Sequence, residues 1–345
     1  ISGMGHNTSG GIGSICRGST NIENVEVINT NIKSTATCDQ SGSQSIVTGI
    51  LAHNHDLLLM NNCKVDECEI IGKGINISGI VGNNSDNAVI NNCEVTNSII
   101  TDELNHDDSS YTKTRAGIIG TCNSTASINN CKVLDTDITG TISTVGGIAG
   151  NIKVLDELND CTVENMNITT KVVDNSASHK TVAGMIGTVN GGLNEEAINN
   201  CIVRKVKMST DRGNISGLIG TININDDTET TKIIKNCTIE ELELKFEEAG
   251  PGRTSGGIVG ALYRCNLAIE STNVSNINIE LQETSTADMN IGGIIGCTNK
   301  NFTMTEDNSI HDINIINNSP TGNTGGIIGI QTSGNSNIAN LDISR

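Results

Sequence analysis

The sequence predicts an all-β fold, a parallel β-helix (β-solenoid) of about ten three-sided coils that forms one continuous domain over residues 1–345. Three observations carry this prediction. A glycine-containing phrase recurs ten times, apolar residues alternate after it, and the chain holds only four aromatic residues. Ile, Val and Cys suit the narrow interior of a β-coil, whereas so few aromatic rings could not fill the wide core of a compact globule.

The recurring phrase is clearest from Ser78 to Ile100, in SGIVGNNSDNAVINNCEVTNSII. Its glycine returns every 30 to 40 residues, a period typical of solenoids, propellers and arrays. Glycine at a corner supplies positive φ or lets two backbones approach closely. We therefore expect corner glycines at Gly11, Gly49, Gly79, Gly117, Gly147, Gly184, Gly217, Gly257, Gly293 and Gly326.

Fourteen residues after the glycine, in each of the first five copies, comes a slot that is often Cys. An apolar residue follows two positions later and another five beyond that, for example Val95 and Ile100. Alternation with one break in step indicates strand, bend and strand. We predict GGIVG, INNCEV and NSII as the three strands of a coil, with right-handed winding as the common choice for such crossovers.

Other repeat folds fit less well. A propeller blade needs four antiparallel strands with hairpin turns, and few hairpin signals occur. Leucine-rich repeats need Leu at fixed places, and Ile dominates here. Helical solenoids need a 3.6-residue period and good helix formers, whereas this chain is rich in Asn, Ile, Thr, Ser and Gly.

Two side-chain ladders are expected. The Asn before the Cys slot should bond from coil to coil and satisfy backbone groups at a turn, with Asn236 buried; a solvated Asn row is the alternative. The members are Asn62, Asn92, Asn130, Asn200 and Asn236.

The Cys slot itself predicts a buried ladder of small apolar thiols, because no Cys-x-x-Cys pair suggests zinc. Disulfides remain open for cysteines outside this ladder. Its members are Cys63, Cys93, Cys131, Cys161, Cys201 and Cys237.

The net charge is −18 and no basic cluster occurs, which argues against nucleic acid or an anionic membrane as partner. No apolar run suggests membrane insertion. We expect no cofactor and no metal. Calcium between acidic loops remains an alternative, although no EF-hand loop or Gly-Gly-x-Gly-x-Asp array is present. The paired acidic residues include Asp102-Glu103, Asp107-Asp108, Glu195-Glu196, Asp226-Asp227 and Glu247-Glu248.

Loop length also follows a pattern. From the last apolar slot to the next glycine the spacing runs 17, 9, 17, 9, 16 and 9 residues over six copies. Every second coil should therefore project a larger loop from one edge, and insertions in solenoids cluster on a binding face. The segments 102–114 and 172–181 are the candidates for contact with a surface ligand.

GGIVG followed by INNCEVTNS resembles the GLUG motif, a short repeat found in large bacterial surface proteins such as filamentous-haemagglutinin-like adhesins. The resemblance covers nearly the whole chain. It implies a parallel β-helix at the cell surface with a structural or adhesive role, and it brings no catalytic residues. Asn replaces the usual Gly after Thr, and Cys often replaces Ser.

We expect no enzyme activity. Carbohydrate-active β-helices need paired carboxylates and usually aromatic platforms, whereas the six His and four aromatic residues share no repeat slot. His53-Asn54-His55 beside Asp56 is the only dense polar cluster, and we interpret it as a loop tip. A flat Thr-x-Thr face for ice binding is missing, and a phage fibre or spike remains open.

The chain starts at Ile1 without an initiator Met and stops at Arg345 inside an unfinished repeat. We expect either a piece of something longer or ends that complete one another. A solenoid without a cap exposes strand edges that recruit another strand. The leading hypothesis is an extracellular structural subunit or segment that stacks head to tail with itself into a surface fibre. The alternative is an adhesin stalk that binds through the long loops.

Overall fold

The computed structural model describes residues 2–3, 8–34, 45–73, 76–102, 113–141, 144–171, 180–211, 213–224, 230–247, 253–281, 289–305, 307–318, 322–339 and 341–344. Within these residues every secondary-structure element is a β-strand, and the strands form three sheets. All strand pairs given for them are parallel, as in the pairs between successive coils at Val65, Val95 and Val133. The prediction of an all-β parallel β-solenoid is confirmed.

One coil contributes strands to each sheet in turn. In the second coil, Ile46–Thr48 belongs to the sheet that we call sheet 1. Leu51–Asn54 and Leu58–Asn61 belong to sheet 2. Lys64–Asp66 and Glu69–Gly72 belong to sheet 3. The chain then returns to sheet 1 one layer further on, so the coil has three sides.

Sheet 1 has ten described strands, one in front of each predicted corner glycine. Its strands are Thr8–Gly10, Ile46–Thr48, Asn76–Ser78, Thr114–Ala116, Thr144–Gly146, Thr181–Ala183, Asn214–Ser216, Arg253–Gly256, Met289–Gly292 and Thr324–Gly325.

Sheets 2 and 3 contain two short strands per coil, or one long strand where the two merge. Sheet 2 consists of Gly13–Cys16, Thr20–Glu23, Leu51–Asn54, Leu58–Asn61, Val81–Asn84, Ala88–Asn91, Ile119–Asn129, Ala149–Asn159, Ile186–Leu193, Ile198–Asn199, Ile219–Asn223, Thr231–Lys235, Val259–Tyr263, Asn266–Glu270, Ile295–Thr298, Phe302–Thr305, Ile328–Gln331 and Ser336–Ile338. Sheet 3 consists of Ser2–Gly3, Glu26–Ile28, Asn31–Ser34, Lys64–Asp66, Glu69–Gly72, Glu94–Thr96, Ile99–Asp102, Lys132–Leu134, Asp137–Thr141, Thr162–Lys171, Ile202–Thr210, Thr238–Phe246, Asn273–Leu281, Asn308–Asn317 and Leu341–Ser344.

The strand register follows the sequence repeat. In sheet 3 the first apolar slot pairs with itself from coil to coil, as Val133 with Val163, and the second does the same, as Ile70 with Ile100. A shift of one residue would turn these side chains to the opposite face. Because one face of the sheet is the core, the alternation of apolar residues specifies the register.

The predicted strand boundaries were wrong in two places. The segment GGIVG is a corner: Gly79 and Ile80 join Asn76–Ser78 to the strand that begins at Val81. The segment INNCEV also spans a corner, because the strand ends at Asn91 and Asn92 has a φ of 53°. A left-handed backbone conformation interrupts the alternation of a strand, so apolar residues on both sides of it belong to different strands.

The core is a narrow apolar column. One contiguous cluster of buried residues runs from Val27 to Ile310 and consists mainly of Ile, Val, Leu and Cys. Phe246 and Phe302 are its described aromatic members. Parallel strands lie about 4.8 Å apart, so ten layers form a rod about 48 Å long.

Candidate functional site

At the corner glycines an added side chain would meet the backbone of the next coil. A Cβ added to Gly184 would lie 2.2 Å from the carbonyl oxygen of Gly217, one layer on. The same relation holds for Gly11, Gly49, Gly79, Gly117, Gly147, Gly217, Gly257 and Gly293, at 2.0–2.4 Å from the next corner glycine. None of these has a φ in the left-handed region. Close backbone approach, and not positive φ, therefore explains these glycines.

The last corner glycine differs from the others. Gly326 has no atom within 4 Å of the position of an added Cβ, because no described layer lies beyond it. The contact that every other corner glycine makes with the next layer is open here. Gly326 thus marks one exposed end of the described solenoid.

The predicted Asn ladder is present as an exposed row of turn residues. Asn62, Asn92, Asn130, Asn200 and Asn236 all have φ between 51° and 54° and are exposed. Asn tolerates this left-handed conformation better than other non-glycine residues. The expectation that Asn236 is buried was wrong, because a side chain at a left-handed turn points away from the core.

Amide hydrogen bonds nevertheless run along this row. Asn130 donates through Nδ2 to Oδ1 of Asn92 at 2.7 Å, and Asn62 donates to Asn24 at 3.2 Å. Asn236 bonds to the neighbouring Asn199 instead, at 2.8 Å. The amides therefore link layers at the surface of the rod.

The six cysteines of the predicted thiol ladder are all buried and are all free thiols. Each is at most 1% exposed. The thiol of Cys201 donates to the carbonyl oxygens of Leu158 and Asn199 at 3.3 and 3.4 Å. All other described cysteines are free thiols too. Cys38 lies outside the described residues.

Neighbouring thiols of this ladder also interact with one another. Burial and hydrogen bonds to the two flanking thiols raise the pKa of Cys131. Hydrogen bonds to its own two flanking thiols, Cys161 and Cys237, raise the pKa of Cys201. Hydrogen bonds from Cys131 and Cys201 lower the pKa of Cys161, which lies between them. The row continues beyond Cys237 as two buried polar residues, Thr272 and Asn308. Backbone N–H groups donate to both side chains, from Cys237 to Thr272 Oγ1 and from Thr272 to Asn308 Oδ1.

The histidine cluster predicted as a loop tip is divided: His53 and Asn54 end a strand, and His55 and Asp56 form the exposed bend that follows it. His53 belongs to the strand Leu51–Asn54, and its ring stacks on His55 with centroids 4.2 Å apart. Its Nε2 lies 3.1 Å from Ser85 Oγ and 3.3 Å from Asn83 Nδ2. Burial, and secondarily the charge of His55, lower the pKa of His53. Asn54 is buried and donates through Nδ2 to Oδ1 of Asn84, the equivalent residue of the next coil, at 2.8 Å. Its side chain therefore points away from the two imidazoles.

The predicted loop edge lies mostly outside the described residues, which include only 102, 113–114 and 180–181 of the two long segments. No group of three or more His, Cys, Asp or Glu in the described part of the chain could hold a metal ion. Of the acidic pairs proposed for calcium, Asp102 pairs with Arg115 and Glu196 pairs with Lys235. No helix in the described part of the chain has the length and apolar character needed to span a bilayer.

The two ends of the described solenoid expose core positions. Ile12 donates its backbone N–H to Ile50 in the next layer and is equivalent to it, yet Ile12 is 60% exposed and Ile50 is fully buried. At the other end Ile338 pairs with Met304, and these side chains are 40% and 0% exposed. Sequence reasoning predicted open strand edges but did not identify these two residues.

No protein-family model matches the chain, and no curated protein or solved structure matches it. The resemblance to GLUG-motif repeats therefore stays a prediction, as do the absence of enzyme activity and the cell-surface location. The fold places this chain in the class of parallel β-solenoid repeat proteins.

Proposed function

We propose that this chain is a non-enzymatic structural subunit or segment that stacks end to end with copies of itself into an extracellular fibre. The observation that carries the proposal is the open apolar layer at each end of the described solenoid, where Ile12 and Ile338 occupy core positions and are 60% and 40% exposed. Burying an isoleucine side chain contributes about 1.5–3 kcal/mol. A second copy that adds its first layer to the last layer of the first would bury both.

The corner glycines support the same geometry. Inside the solenoid a corner glycine packs on the carbonyl oxygen of the next corner glycine, as Gly293 does on Gly326. In a head-to-tail stack, Gly11 of one copy would take that place above Gly326 of another. The strands of the terminal layers would pair in parallel, as all neighbouring layers do. Exposed strand edges favour such pairing.

An extracellular or cell-surface location fits the resemblance to GLUG-motif repeats and the negative net charge of a chain without a basic cluster. A net charge of −18 makes single rods repel one another. Stacking should therefore strengthen as salt screens repulsion between the rods.

Electron microscopy of the purified 345-residue chain across a concentration series tests this proposal. We expect filaments with an axial repeat of about 48 Å, the length of ten layers. Ile12→Asp should abolish them, because it places a charge in the joint. Gly326→Ala should also abolish them, because its Cβ would meet the incoming carbonyl oxygen.

Thr169→Ala is the matched control, since Thr169 is exposed on sheet 3 in the middle of the rod. It should form filaments like the unmodified chain. Circular dichroism should show the same strand content for all variants, so a loss of filaments reports on the joint. Short rods at every concentration, or filaments that both end variants still form, would overturn the proposal.

A further inference from the structure

Sheets 1 and 2 form a concave angle on the outside of the solenoid. In most three-residue strands of sheet 1 the central residue, such as Val182, belongs to the apolar core. Its neighbour Thr181 therefore points away from the core, and it is only 1% exposed because its hydroxyl packs on the hydroxyl of Thr188 on sheet 2, at 2.8 Å. The next coil repeats this contact, with Asn214 donating to Thr221 at 3.0 Å. Outward side chains of the two sheets can touch only if the sheets face each other across a groove.

Glycine makes this angle possible. Gly187 comes three residues after the corner glycine Gly184. A Cβ added to Gly187 would lie 2.5 Å from Cγ2 of Thr144 on sheet 1. The equivalent Gly220 would place a Cβ 2.9 Å from Cβ of Thr181. Larger residues would push the two sheets apart. The repeat thus builds the groove along with the core.

The groove opens into a cavity of about 540 Å³ that extends over several coils. Thr144 and Thr181 form one wall, and Thr188 and Thr221 face them from sheet 2. Asn223 and Tyr263, which are register partners in neighbouring layers, form the outer part. A volume of this size is within the range of small-molecule binding sites.

The lining is polar and carries one positive charge, on Arg264. Hydroxyl and amide groups can both donate and accept hydrogen bonds. Among the described residues that line the cavity none is acidic, although the chain carries 39 acidic residues. Burial, and secondarily Cys297, raise the pKa of Tyr263 to about 12, so this phenol is neutral at physiological pH. The face of its ring is electron-rich and attracts the polarised C–H groups of a sugar ring.

We propose that this groove binds a linear oligosaccharide that lies along the solenoid axis. Layers repeat about every 4.8 Å, which is close to the length of one pyranose unit in an extended glycan. The outer lining residues occupy one position in four successive layers and can therefore meet successive sugars; they are Asn190, Asn223, Tyr263 and Asn299. The inference does not depend on end-to-end stacking, because the groove lies on the side of the rod.

Isothermal titration calorimetry tests the proposal with four probes: cellotetraose, chitotetraose, maltotetraose and tetragalacturonate. At least one should bind the full chain with a Kd between about 1 μM and 1 mM, a range suited to an open polar groove. Tyr263→Ala and Asn223→Ala should each weaken binding of that probe by about tenfold, equivalent to the loss of one good contact.

Asn278→Ala is the matched control for Asn223→Ala. Asn278 lies on sheet 3 and accepts a hydrogen bond from Asn314 in the next layer, away from the groove. It should leave binding unchanged. Thermal melting of each variant separates a loss of contact from a loss of fold. Failure of all four probes to bind, or equal binding by the groove variants and the unmodified chain, would overturn the proposal.

Discussion

Asp102 and Arg115 form an ion pair inside the solenoid, with Oδ2 of Asp102 2.8 Å from Nη2 of Arg115. The two side chains are 2% and 1% exposed. Arg115 occupies the register position that holds Ile77 and Val145 in the neighbouring coils. The pair therefore replaces apolar packing in one layer of the core.

Hydrogen bonds satisfy the carboxylate on its other side. The backbone N–H of Thr141 donates to Asp102 at 3.1 Å, and its hydroxyl donates at 3.0 Å. Arg115 also donates through Nη1 to the carbonyl oxygen of Thr114 at 2.8 Å. Gly140 leaves room for the carboxylate, because a Cβ there would lie 2.6 Å from Oδ1. The pair joins the two ends of the connection from sheet 3 to sheet 1.

We expect Asp102→Asn to lower the free energy of unfolding by about 3–5 kcal/mol, because it leaves the buried guanidinium without a counter-charge. The double variant Asp102→Leu with Arg115→Val should recover most of this loss, since a buried pair and an apolar pair of similar volume often have similar stability. Urea denaturation followed by circular dichroism measures both. A double variant that is no more stable than Asp102→Asn would contradict the expectation.

The corner glycines provide a second test. Gly293→Ala should lower the free energy of unfolding by about 3 kcal/mol. The Cβ of the new alanine would lie 2.0 Å from the carbonyl oxygen of Gly326 and would force the two layers apart. Gly326→Ala is the matched control, because the equivalent space is open. In dilute solution it should change stability by less than about 0.5 kcal/mol. Equal effects of the two substitutions would show that contact with the next layer is not what requires glycine.

Lys205 provides a third test because it adopts a φ of 53° at a turn position that is Asn or Asp in several other coils. A left-handed conformation costs a non-glycine residue about 1–2 kcal/mol, and Asn tolerates it better. We expect Lys205→Asn to raise the free energy of unfolding by about 0.5–1 kcal/mol. The substitution also removes the ion pair between Nζ of Lys205 and Oε1 of Glu164, which lie 3.9 Å apart. This pair is at the surface and contributes little to stability.

Lys207→Asn is the control for this substitution. Lys207 lies in the same strand, Ile202–Thr210, without a positive φ. Asn is disfavoured in extended strands, so this variant should be neutral or slightly less stable. Thermal melting compares the two. Stabilisation by both variants would mean that the loss of a lysine, and not the backbone conformation, is responsible.

The buried thiol of Cys122 predicts a loss of stability in alkaline solution. Burial is the main cause that raises the pKa of Cys122 above its ordinary value, and this side chain is 1% exposed. Above about pH 8.5 the thiol ionises in the unfolded chain but stays protonated in the folded chain. The unfolded state then binds fewer protons, so stability falls as pH rises, by up to about 1.4 kcal/mol per pH unit.

Comparison of the unmodified chain with Cys122→Ala isolates this contribution. The difference in unfolding free energy between pH 8 and pH 10 should be smaller for Cys122→Ala, because the remaining thiols, lysines and tyrosines titrate in both proteins. Urea denaturation at the two pH values measures it. Thr169→Ala should retain the pH dependence of the unmodified chain. An unchanged pH dependence in Cys122→Ala would refute the role of this thiol.

Sequence reasoning was most accurate where a pattern reports on neighbouring residues. The alternation around Val95 and Ile100 predicted which side chains enter the core, and the register of sheet 3 follows it. It was wrong about GGIVG and INNCEV, which are corners and not strands. Alternation shows which way a side chain points but not where the backbone changes direction, so Asn92 was taken for part of a strand when its φ of 53° ends one.

The sequence by itself determined the repeat, the parallel β-solenoid and the positions of the corner glycines, because glycine spacing and alternation are local properties that recur in every coil. Only the tertiary structure decided the groove between sheets 1 and 2 and the pair of Asp102 with Arg115. The groove depends on the angle between two sheets. The ion pair depends on two side chains that meet across a 13-residue separation in the interior. Neither the angle between the sheets nor the contact between the two side chains can be read from the period of the repeat, so the sequence pattern does not display them.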